Sequence, residues 1–71
     1  MKREEKINVI HQIDSTYLGQ LNTSYQKDGF GIQQTFNFDT YIGSWRCNKA
    51  DGKGLIILST GTIIYAHFVK D

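Results

Sequence analysis

A pattern of alternating aromatics and glycines recurs along the chain and leaves few folds open to it. Tyr17, Gly19 and Leu21 return as Tyr41, Gly43 and Trp45 at an offset of 24, and Asp28-Gly29-Phe30-Gly31 returns as Asp51-Gly52-Lys53-Gly54 at an offset of 23. The one-residue difference places an insertion between Leu21 and Asp28, in a turn, where added length costs little. Alternate residues of a strand share a face. Tyr41 and Trp45 therefore stand on one side with Gly43 between them, and glycine at such a place leaves a slot that a large ring from a neighbouring strand can fill. Adding 23 to Tyr41, Gly43 and Trp45 reaches Ile64, Ala66 and Phe68, a degenerate third copy.

Turn-forming clusters divide the rest of the chain: Asp14-Ser15-Thr16, Asn22-Thr23-Ser24 with Lys27-Asp28-Gly29, Asn37-Phe38-Asp39, Asn48 to Gly52, and Ser59-Thr60-Gly61. Between them the pattern predicts strands near residues 7–13, 17–22, 30–36, 41–46, 54–59 and 62–69. Asp-Gly supplies the positive φ of tight hairpin turns. No window holds a helical apolar period over three turns. The fold class that follows is all-β, a single-layer antiparallel β-meander of about six strands, a usual sheet size. Its units are a flexible segment 1–6, a half unit 7–16, repeats 17–40 and 41–63, and a half unit 64–71.

One stretch strains this scheme. Ile56 and Leu58 share the face of Gly54 while Leu55 and Ile57 point the other way, and Phe30 and Ile32 lie out of phase with Gly31. Either a bulge shifts the register or the sheet buries its other face there.

The remaining bounds are simple. A 71-residue chain is one domain near the lower limit for an unaided core. Its net charge of +1 gives no electrostatic pull toward nucleic acid. One cysteine, Cys47, leaves no internal disulfide. The mixed-sign start lacks the apolar run of a signal peptide, and Leu55 to Leu58 is too short an apolar stretch to span a bilayer. A soluble, intracellular, cytoplasmic protein is the expectation.

The pattern Tyr-x-Gly-x-Trp followed by Gly-x-Gly, every 23 or 24 residues, resembles the MORN repeat family. Residues 41–63 carry it well, with Gly61 ahead of the next unit. Residues 17–40 depart from it at Leu21, in place of the second aromatic, and at Phe38, in place of the last glycine. The resemblance implies stacked hairpins in an elongated twisted sheet. It also implies a non-catalytic interaction module, of the kind found in cytoskeletal, ciliary and membrane-junction scaffolds. It names no cofactor and no partner. Gly19, Gly29, Gly31, Gly43, Gly52, Gly54 and Gly61 take the structural positions.

Tyr17, Tyr41, Trp45 and Phe68 would form a ladder along one face: either the sheet's own core or, with Ile64 and Tyr65 of the last strand, a surface for a protein partner. A strand such as 62–69, rich in β-branched and aromatic residues, would be an edge that invites another strand. Stacked repeats also need about three neighbours to bury a continuous core. Both point to a homo-oligomer or a larger hetero-complex. The alternative is a peripheral membrane module in which Arg46, Lys49 and Lys53 touch anionic phospholipid. His11 and His67 have no carboxylate or cysteine at metal-ligand spacing. No metal, cofactor or catalytic group is expected, since a Cys47–His pair would have to be made in space. Gly29-Phe30-Gly31 and Gly52-Lys53-Gly54 lack the following helix of a phosphate loop.

Overall fold

The computed structural model describes residues 7–69, so the expectation for segment 1–6 lies outside the described residues, as do Lys70 and Asp71. The fold is all-β: β1 (Asn8–His11), β2 (Ser15–Leu21), β3 (Lys27–Thr35), β4 (Thr40–Arg46), β5 (Lys49–Ile57) and β6 (Ile63–Phe68). They form one six-stranded sheet in sequence order, every neighbouring pair antiparallel. This is the open single-layer meander that the repeat pattern predicts, with principal extents of 42 × 26 × 26 Å.

The register makes the repeat visible in three dimensions. Gly19 pairs with Gly31 and Gly43 with Gly54. Beyond each glycine pair the ladder is irregular: two steps along β2 or β4 match four along β3 or β5, giving Leu21 opposite Lys27 and Trp45 opposite Ala50. Gly29 and Gly52 lie in these bulges with φ of 98° and 89°.

That corrects one expectation. The Asp-Gly pairs supply positive φ inside the strands rather than at the hairpin tips, so β3 and β5 begin at Lys27 and Lys49 instead of near 30 and 54. The tip of the β4–β5 hairpin is Cys47-Asn48, with φ of 49° and 71°. A two-residue hairpin turn needs positive φ at both central positions to match strand twist. The β2–β3 tip takes up the inserted residue in a loop held by Asn22, whose Oδ1 accepts from the N–H groups of Ser24 and Gln26 at 2.9 and 3.1 Å.

A second correction concerns the glycine slots. The ring over each slot comes from the same strand as the first glycine. Tyr41 leans from β4 across Gly54, and Tyr17 leans from β2 across Gly31. Each phenol then donates to a carbonyl three residues along its own strand, Tyr17 to Gln20 at 2.7 Å and Tyr41 to Ser44 at 3.0 Å. The flat glycine backbone is what lets a ring lie down on the sheet.

The strained stretch has a plain resolution. No register shift occurs between Gly54 and Ile57 or between Gly31 and Gln34. Instead the sheet has two apolar faces. On the ring face stand Tyr17, Tyr41, Trp45, Ile56 and Phe68. On the back face the register lines up Val9, Leu18, Ile32, Ile42, Leu55 and Tyr65, one from each strand and each opposite the next.

The β3–β4 turn offers a test of the repeat. Phe38 has a φ of 70° where the next unit has Gly61 at 98°. Both N–H groups close the same turn, onto Thr35 O at 2.9 Å and Leu58 O at 2.8 Å. A side chain in this left-handed region costs about 1–2 kcal/mol, partly offset by the entropy that glycine loses on folding. Phe38 is 68% exposed and gives up little packing. Phe38→Gly is therefore expected to stabilise the fold by about 0.5–1 kcal/mol, read as a higher urea midpoint at unchanged slope; a lower midpoint would count against the equivalence.

Candidate functional site: the aromatic ladder and its buried lysine

The ring face is built by T-shaped contacts that run from one repeat to the next. Ring centroids are 5.4 Å apart for Tyr17–Trp45, 5.2 Å for Tyr41–Trp45 and 5.5 Å for Tyr41–Phe68, with interplanar angles of 86°, 85° and 80°. Edge-to-face packing at this spacing sets the positive ring edge against a negative face. Tyr17 is fully buried and Trp45 is 8% exposed. The centre of the ladder is thus core and presents no free surface. Phe68 and Tyr41 are half-buried. Ile64 and Tyr65, at 41% and 87% exposed, stand open on β6.

Among these rings lies a residue that the sequence pattern puts in a turn cluster. Lys27 is 8% exposed. Its Nζ is 5.4 Å from the Tyr17 ring centroid and 5.2 Å from that of Trp45. It donates to Gln12 Oε1 at 3.1 Å and to Gln33 Oε1. A lysine is almost never this buried unless paired. Here two ring faces and two amide oxygens replace its water. Burial pushes the amine below the usual lysine value, while the Asp14 carboxylate acts in the opposite sense. Burial also raises the Tyr17 and Tyr41 phenols above the ordinary tyrosine value.

The backbone of Lys27 is engaged as well. Its N–H donates to Asn48 Oδ1 at 2.8 Å, and its carbonyl accepts from Asn48 N–H at 2.9 Å. Cys47 N–H donates to Asp28 Oδ2 at 3.2 Å. The Cys47-Asn48 turn of one repeat is thereby docked on the bulge of the repeat before it. One group in this region lacks a partner: the buried Trp45 Nε1–H finds no acceptor among the described residues.

A cavity of about 210 Å³ opens on the ring face over the second repeat, bordered by Tyr41, Trp45, Ala50, Ile56, Phe68 and the Asp39 turn.

The other candidates fall elsewhere. Arg46 and Lys49 flank the β4–β5 tip as a cross-strand pair, and Lys53 lies further along β5 opposite His67. All three are exposed, and strand alternation puts them on the back face with the apolar row. Cys47 is a free, exposed thiol. His11 stands across from Thr16, with Nδ1 3.3 Å from the threonine hydroxyl, so the register brings neither histidine to the turn that carries the cysteine. Among the described residues no group of His, Cys, Asp and Glu is placed to hold a metal ion. Compared with family models and with curated proteins, the chain matches none.

Proposed function

We propose that this chain is a non-catalytic protein–protein interaction module, an accessory subunit of a larger assembly, built in the manner of MORN repeats. The observation that carries the reading is the back-face row from Val9 to Tyr65. It crosses all six strands without a break, and nothing among the described residues covers it. Val9, Leu18 and Tyr65 are 56%, 41% and 87% exposed, and Phe30 beside them is 54% exposed. Contiguous apolar surface of this kind marks interaction sites. Among the described residues no strand pairs with the outer edge of β6, where Ile63 is 56% exposed; an unpaired strand edge is a template for another strand. A cytoskeletal or ciliary setting follows from the family resemblance alone.

The native species recovered from its source is expected to sediment well above the 8.1 kDa of the chain. The double variant Leu18→Lys, Tyr65→Lys alters only exposed positions, so it should keep the fold and return the chain to a monomer. A native monomer at micromolar concentration, or an assembly indifferent to the double variant, would overturn the proposal.

The back-face position of Arg46, Lys49 and Lys53 favours a second reading, contact with anionic phospholipid. Basic residues at such a surface contribute about 1 kcal/mol each, so three give weak attachment that the apolar row would reinforce. Co-sedimentation with phosphatidylserine vesicles, lost on Arg46→Glu with Lys53→Glu, would favour the membrane over a protein partner.

A further inference from the structure

The two repeats differ at one telling place. Counting from the glycine pairs, Lys27 and Ala50 hold the same position, because Lys27 pairs with Leu21 just as Ala50 pairs with Trp45. The surrounding residues correspond too. Tyr17 matches Tyr41, Gln33 opposite Tyr17 matches Ile56 opposite Tyr41, and Trp45 opposite Gly29 matches Phe68 opposite Gly52. In the first repeat the lysine side chain lies over the two rings and is held there by ring faces and amide oxygens. In the second the rings remain, 5.5 Å apart for Tyr41 and Phe68. The side chain at the lysine's position is a single methyl, that of Ala50, and it borders a cavity of about 210 Å³ together with both rings.

We propose that this cavity is a receptor for a primary alkylammonium group, namely a lysine side chain presented by a protein partner. The chain contains its own pattern for the complex. Lys27 shows that a butylammonium chain of this length lies well on the sheet with its charge against two rings. An ammonium over aromatic faces is drawn by the ring quadrupole, more strongly once water is excluded. Gln33, whose Oε1 already accepts from Lys27, borders the cavity together with Thr35 and Asp39, and the rest of the lining is mostly apolar. Ile56 in place of Gln33 makes the floor more apolar, suiting the methylene stem of an incoming lysine.

That the lysine comes from a protein rests on the interaction-module reading. The niche itself can be tested without any partner. n-Butylammonium chloride titrated into the folded chain is expected to give saturable NMR shifts at the Trp45 indole N–H and the Tyr41 and Phe68 rings. It should bind about five- to tenfold more tightly than 1-butanol, the share that a partly desolvated cation–π contact supplies. Ala50→Lys should place an amine in the niche, keep the fold and abolish the shifts; Ala50→Met should abolish them by filling the stem space alone. Equal binding of 1-butanol would show a merely apolar cleft and overturn the proposal. So would the absence of saturable shifts, or shifts that persist in both Ala50 variants. Failure of the titration leaves the back-face reading standing, while a native monomer that still binds butylammonium defeats only the partner.

Discussion

Gly43→Ala is expected to remove a large share of the stability of this fold. A methyl built on Gly43 would stand 2.6 Å from Gly54 Cα and 2.7 Å from Lys53 O, both backbone atoms of the paired strand, and 2.7 Å from the Tyr41 hydroxyl. A rotamer change cannot relieve contact with backbone, so β4 and β5 must move apart. That movement lifts the Tyr41 ring from Gly54 and loosens its bond to the Ser44 carbonyl. Overpacking in a well-packed site costs about 1–3 kcal/mol, occasionally more, and the loss of ring seating adds to it, so about 3 kcal/mol or more is expected. A chain of 71 residues holds only about 4–10 kcal/mol in all at the usual stability per residue. Gly61→Ala supplies the contrast. A methyl there meets nothing within 4 Å, although φ is +98°, so only the left-handed backbone penalty of about 1–2 kcal/mol applies. Urea unfolding followed by circular dichroism ranks the two. Equal midpoints would mean that the close approach of the glycine pairs contributes nothing special.

How far such contacts could be read in advance depends on what fixes each one. Tyr17, Gly19, Tyr41, Gly43, Asp28-Gly29 and Asp51-Gly52 carry the repeat in their spacing, and six antiparallel strands in sequence order follow from it. The inserted residue of the β2–β3 loop was legible for the same reason. Asp-Gly was ambiguous, because positive φ serves a hairpin tip and a bulge equally. Only the ladder shows that Gly29 and Gly52 lie in bulges. That ambiguity hid two further features. Lys27 sits next to Asp-Gly and reads as a solvated turn residue; moving the tip back to residues 22–26 brings it onto the ring face. The apolar row on the back face needs the register of every pair at once, and a bulge of unknown size leaves that register open. Ile32 and Leu55 looked out of phase when each strand was read alone, and they are neighbours of Ile42 once the strands are aligned. The burial of Tyr17 and Trp45 against the openness of Tyr65 depended on which face of the sheet each side chain takes, since Phe68 on the same edge strand as Tyr65 is half-buried on the ring face.

Trp45 joins the two repeats and covers the buried lysine. Trp45→Ala is expected to cost about 3–5 kcal/mol, the usual range for emptying a buried aromatic site. The indole touches Tyr17 on one side and Tyr41 on the other and covers the Lys27 ammonium, so its loss separates the repeats and leaves a buried charge with fewer partners. Trp45→Phe should behave very differently. The corresponding position one repeat on is Phe68, which packs edge-to-face on Tyr41 at 5.5 Å, so a phenyl ring is known to suit this geometry. The substitution also removes an N–H that is buried without an acceptor, and leaving such a group unsatisfied costs about 1–3 kcal/mol. That relief offsets the smaller area of the phenyl ring and the weaker hold on Lys27, and the net change should stay within about 1.5 kcal/mol. Denaturant unfolding of both variants separates the contributions of ring and N–H. If Trp45→Phe proves as damaging as Trp45→Ala, the indole N–H is making a bond in solution, and the ladder owes its strength to that bond rather than to its rings.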